Sequence, residues 1–237
     1  MLNVRKDAFW FMKFELKKSM INLLLLIPVI FILVFVIRSF VPDYFEQPTM
    51  GLDFFLFFSV FIMSQITRPN DFQMKKISGS FYAVPFLISL NQLGVKKDVI
   101  VKYRFYSYAF IYTLFIVPLF IGIYPVFEDE LSISSYLVFA IIWYCVGIYT
   151  GCSTLAYEPA SHLGKNILVA VIAGPILFFG YIFIFYKWFT DGLVGWTMYI
   201  ATEYQLWAIV ISLILTIIGW KYWQIKMKQS IRKADYL

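Results

Sequence analysis

Runs of about 20 apolar residues recur along this chain, the length a helix needs to cross the ~30 Å hydrocarbon core of a bilayer. They cover residues 20–37, 52–67, 106–127, 135–157, 167–188 and 204–223. Lipid offers no partner to an open backbone N–H or C=O, so a spanning segment must be a helix or a strand of a closed barrel. The runs are continuously apolar, without the period-2 alternation of a barrel strand. They predict an all-α polytopic membrane protein with six transmembrane helices. Composition agrees: 61% of the residues are hydrophobic and 14% charged, against about half and about a quarter in soluble domains. The 26 Phe and 17 Tyr carry more aromatic surface than one soluble core buries.

Charge sets the expected orientation. Five bases precede the first run (Arg5, Lys6, Lys13, Lys17, Lys18), and seven follow the second (Arg68, Lys75, Lys76, Lys96, Lys97, Lys102, Arg104). Lys165 follows the fourth, and Lys221, Lys226, Lys228, Arg232 and Lys233 close the chain. Only Arg38 and Lys187 are left for the other side, where Asp43, Glu46, Asp53, Glu128, Asp129, Glu130, Asp191 and Glu203 collect. Basic residues resist translocation, so both termini are expected in the cytoplasm of a cell with its plasma membrane as host. The net charge of +6 is then a topology signal. Bases split among segments that flank spans make no nucleic-acid surface.

One transmembrane domain over residues 1–237 is expected. Residues 1–19 mix Phe9, Trp10, Phe11 and Phe14 with bases and predict an interfacial helix, although Glu15 falls near its apolar side. Residues 20–67 hold spans one and two, 68–104 a cytoplasmic segment, 105–224 spans three to six, and 225–237 a cytoplasmic tail. Within 68–104, Arg68-Pro69-Asn70-Asp71 signals a turn. Phe86, Leu87, Leu90 and Leu93 form a helical stripe bracketed by Pro85 and Gly94. Pro28, Pro118, Pro125 and Pro175 predict kinks. A first external loop is expected over residues 41–51.

No catalytic set emerges. Ala160-Ser161-His162-Leu163-Gly164-Lys165-Asn166 approaches a phosphate loop, but Pro159 stands where its first glycine belongs and the final hydroxyl is missing. His162 is the single histidine and follows Glu158 by four residues, which reads as a solvated loop pair; metal sites need more ligands. Arg38, Asp53, Arg104, Lys187, Glu203 and Lys221 are expected at membrane interfaces, leaving the spans without a proton path. Cys145 and Cys152 lie too far apart along one helix for a disulfide. Gly147 and Gly151 form a small-xxx-small pair for close helix packing.

Six spans, an interfacial leader and one sizeable cytoplasmic segment between spans two and three resemble the permease subunit of a bacterial type II ATP-binding cassette exporter. The string Leu93-Gly94-Val95-Lys96-Lys97-Asp98-Val99-Ile100-Val101-Lys102-Tyr103-Arg104 carries most of the likeness, with Gly94 where the family usually has proline and Lys96 where it has a hydroxyl. The tail Ile231-Arg232-Lys233-Ala234-Asp235 resembles the family's basic ending. The resemblance implies a coupling helix formed by Leu90, Asn91, Gln92, Leu93, Gly94, Val95, Lys96, Lys97 and Asp98, seated in a separate ATPase subunit. It implies ATP and Mg on that partner and no cofactor or catalysis in this chain. It also implies a second permease, identical or homologous, and export of a hydrophobic or amphipathic substrate such as the peptides moved by phenol-soluble modulin exporters. The competing expectation is a non-transporting immunity or sensor subunit that binds a partner or toxin in the bilayer.

Overall fold

The computed structural model describes residues 3–46, 50–66, 68–79, 81–159, 161–162, 180, 183, 186–187 and 192–233. It is mostly helical: α1 (Val4–Lys18), α2 (Met20–Leu24), α3 (Leu26–Glu46), α4 (Met50–Ile66), α5 (Pro85–Gln92), α6 (Lys97–Ile123), α7 (Ile133–Leu155), α8 (Gly192–Glu203) and α9 (Gln205–Lys233). Among the described residues, four stretches are long and apolar enough to cross a membrane: Met20–Glu46, Lys97–Val126, Ile133–Leu155 and Gln205–Arg232. α4 is apolar but shorter, at 17 residues. The expected fifth span, 167–188, lies outside the described residues apart from isolated positions, as does Pro175.

The apolar surface left open agrees with a lipid environment. In the most apolar window of Gln205–Arg232 only 11% of the residues are buried. Such a face on a soluble protein would be an aggregation site. The chain is a membrane protein.

Several boundaries differ from the sequence reading. α3 runs through Pro42 to Glu46 and takes up the start of the expected external loop. Pro42 removes one backbone donor, but Leu33, Ile37, Val41 and Tyr44 continue one buried stripe at helical spacing. Tertiary packing outweighs the local break. α6 begins at Lys97, nine residues before the predicted span, and its 27 residues reach about 40 Å. α9 continues past residue 223 to Lys233.

The all-α class holds with one departure. β1 (Lys75–Ser78), β2 (Phe81–Ala83) and β3 (Ser161–His162) form a three-stranded antiparallel sheet in the order β1-β2-β3. Phe81 pairs with His162 and Tyr82 with Ser161. The sheet ties the segment after α4 to the loop after α7, two regions far apart in sequence.

The core runs along α6, with α1, α3, α7 and α9 packed around it. Gly147 and Gly151 face α6: the Tyr108 hydroxyl donates to the Gly147 carbonyl at 2.7 Å. A Cβ on Gly151 would fall 1.7 Å from that hydroxyl, so the tyrosine fits only over glycine.

At the far end of α4 from the sheet, Asp53 is fully buried. Its carboxylate accepts from the backbone N–H of Leu193 at 2.9 Å and of Val194 at 2.8 Å. The Tyr44 hydroxyl accepts from Gly195 N–H at 3.0 Å. Three first-turn donors of α8 are thus satisfied from α3 and α4, where a negative charge also meets the positive helix end.

Candidate functional site

The end of the bundle that gathers α1, α5, the sheet and the start of α6 holds most of the residues singled out from the sequence. α5 fits the two residues that bracket it. Pro85 occupies its first turn, where a missing N–H costs nothing. At the other end, Val95 N–H donates to the Leu90 carbonyl and Gly94 N–H to the Asn91 carbonyl, each at 3.0 Å. These two bonds make a Schellman ending with Gly94 as the left-handed residue. Its φ of +72° is the conformation glycine adopts without steric cost.

The turn is held from below by aromatic packing. Phe86 of α5 lies 4.8 Å from Phe72, 5.7 Å from Phe14 and 6.0 Å from Tyr103, measured between ring centroids. Phe11 completes the set against Phe86 and Tyr103. The aromatic side of α1 is therefore spent on the start of α6 and on α5, while Trp10 stays 62% exposed.

Beneath this layer lies a buried four-charge cluster. Arg104 reaches Glu158 through two parallel bonds, Nε to Oε2 at 2.6 Å and Nη2 to Oε1 at 2.8 Å. Arg68 donates from Nη1 to Glu158 Oε1 at 2.7 Å and from Nε to Glu15 Oε1 at 3.0 Å. Arg104 Nη1 also lies 3.3 Å from Glu15 Oε2. All four side chains are buried. They come from α1, the turn after α4, α6 and the turn after α7, so two cations and two anions join four separate segments. Burial on its own would raise the Glu15 carboxyl; the Arg104 and Arg68 guanidiniums outweigh it and hold the group below its ordinary 4.5.

This cluster corrects three readings. The Arg104 side chain is buried on two carboxylates and does not reach out to water, Glu158 is buried rather than solvated, and Glu15 is not a flaw in an amphipathic stripe. Each lies on an apolar face because its partners do too. The matched two-and-two count, with Glu15 and Arg104 set among aromatic residues, was the available signal. Pairing across 53 to 90 positions is not visible in one sequence.

Of the nine residues of the expected coupling segment, Leu90 is buried and anchors α5, and Asn91, Val95 and Lys97 are half-buried. Gln92, Leu93, Gly94, Lys96 and Asp98 are exposed, with Leu93 at 78%. The segment is therefore the end of α5, a tight turn and the first two residues of α6. Asp98 pairs with Lys228 of α9, bringing the end of the last helix to the same place. A hollow of about 330 Å³ beside the turn is lined by Asp7, Trp10, Phe11, Leu93, Lys96 and Val99. Gly147 and Gly151 are not part of this site. Among the described residues no three His, Cys, Asp or Glu side chains come together as metal ligands.

No known protein family, curated protein or solved structure matches this chain. The site is read from its own geometry. What it offers is an exposed apolar tip and hollow, bordered by charges of both signs and fixed on a buried base. Such a surface suits docking of another protein: an aromatic or aliphatic anchor at the centre with polar groups at the rim.

Proposed function

We infer that this chain is the transmembrane permease subunit of an ATP-binding cassette exporter, moving a hydrophobic or amphipathic substrate, such as a peptide, with energy from a separate ATPase subunit. The observation that carries the reading is Leu93. It stands out from a turn in which every supporting element is constrained, by the Gly94 ending, by the Phe86 packing and by the charge cluster below. A lever that transmits displacement must be rigid at its base and apolar at its tip.

In this reading the turn and α1 face the cytoplasm, as the distribution of bases requires. The ATPase subunit receives Leu93 and Trp10. Movement of the turn passes to α6 directly, because Lys97 and Asp98 are its first residues. It passes to α9 through Asp98 and Lys228, and to α1 and the loop after α7 through Arg104. A second permease, identical or homologous, completes the assembly.

Purification in mild detergent from native membranes tests the reading. The chain should carry a soluble nucleotide-hydrolysing subunit with it, and Leu93→Asp should release that subunit while leaving membrane insertion intact. Retention of the same ATPase by Leu93→Asp, or its absence from the unaltered complex, would overturn the assignment.

A further inference from the structure

The Arg38 guanidinium donates twice to one acceptor, the Gly122 carbonyl, from Nε at 3.1 Å and from Nη2 at 2.7 Å. Gly122 lies in the last turn of α6, where carbonyls have no partner within the helix and the helix end is negative. Two donors are spent this way. A guanidinium has five, and Arg38 remains exposed. It sits at the mouth of a groove of about 510 Å³ between α3 and α6.

The groove is apolar apart from that one cation. Leu26, Ile27, Ile30, Phe31 and Val34 form one wall, and Leu114 and Pro118 belong to the other. From Leu26 to Arg38 the wall runs about 18 Å along α3, close to the depth of one leaflet of a ~30 Å hydrocarbon core. Ile27 and Phe31 are more than half exposed and no described segment covers them.

We propose that this groove binds one glycerophospholipid, an acyl chain lying along α3 and the phosphate on the free N–H groups of Arg38. Charge and depth together select the occupant. A plain hydrocarbon would leave the guanidinium unused, and a free anion would leave the groove empty. A phosphodiester with an attached chain satisfies both, and guanidinium forks match phosphate oxygens. The proposal needs only that α3 and α6 lie in a bilayer; it does not depend on transport or on an ATPase. Arg38 is one of two bases outside the basic segments, and lipid binding together with capping of α6 gives it two reasons to be there.

Native mass spectrometry of the detergent-purified chain, titrated with phosphatidylglycerol, tests it. One tightly held lipid is expected, reduced at least about fivefold in Arg38→Gln, whose amide still donates to the Gly122 carbonyl. Ile27→Trp, which fills the groove with Arg38 intact, should reduce it similarly, while Lys221→Gln should not. Glycerol phosphate should fail to displace the lipid. Equal retention in all four proteins means surrounding lipid only and overturns the proposal. Displacement by glycerol phosphate means a simple anion site and overturns it too. Thermal unfolding of each variant without added lipid is the check on folding, and the Ile27→Trp result stands even if Arg38→Gln unfolds.

Discussion

Arg104 and Glu158 form a bidentate pair at 2.6 and 2.8 Å, both buried, across 54 positions of sequence. The pair links the first turns of a membrane-length helix to the turn that follows another. It also places two charges where the apolar runs on either side would suggest none. A buried ion pair is weak evidence for stability, because desolvation offsets much of the attraction. Its role here is to specify one arrangement of four segments.

Removing one partner should therefore be costly and removing both should not. Glu158→Gln is expected to destabilise by about 3–5 kcal/mol, since it leaves two guanidiniums with one carboxylate. The combined Glu158→Leu and Arg104→Met variant should lose clearly less than the sum of the single losses. Thermal unfolding in detergent, run as a double-mutant cycle, measures the difference.

Acid should reveal Glu15. Its folded carboxyl titrates below the ordinary 4.5 because of Arg104 and Arg68. The unfolded chain therefore binds a proton first as pH falls, and the stability Glu15 contributes is complete above that value. It is lost as pH drops through the lower folded value. Melting temperature should fall below about pH 4.5, and Glu15→Gln, already destabilised at neutral pH, should show a shallower fall.

Asp53 caps α8 from another helix. Asp53→Ala should cost about 1–2 kcal/mol and expose the amides of Leu193 and Val194 to solvent exchange. Asp53→Asn, which keeps an acceptor, should lose less. Hydrogen exchange at those two amides reads the effect, and unchanged protection in Asp53→Ala would show that the cap does not hold them.

Gly151 and Tyr108 are a packing pair. Gly151→Ala sets a methyl 1.7 Å from the present position of the Tyr108 hydroxyl and should cost about 1–3 kcal/mol by overpacking. Tyr108→Ala in the same chain should recover part of that loss, as measured by thermal unfolding.

The helices were legible where length and apolarity alone decide, as in α4 and α7, whose observed ends fall within two residues of the predicted 52–67 and 135–157. Periodicity together with Pro85 and Gly94 placed α5. The failures share a cause. α3 passes Pro42 because Val41 and Tyr44 are buried by other helices, and the sheet exists because His162 meets Phe81. The sequence puts Arg104 at an interface, Glu158 in a solvated loop pair, Glu15 near an apolar stripe and Arg68 in a turn, because none of the four has its partner nearby in sequence. Charge patterns within one helix report local pairs at three or four residues; they carry nothing about partners 54 positions away.

Cross-linking from position 93 in native membranes is the most direct test of the docking surface. Cys145 and Cys152 are buried, so Leu93→Cys presents the accessible thiol for a photoactivatable reagent. Ile133→Cys, exposed at the other end of the bundle, serves as the comparison. The account predicts that the species captured from position 93, and not from 133, is a nucleotide-hydrolysing subunit. Capture of lipid alone from position 93, or of the same proteins from both positions, would contradict it.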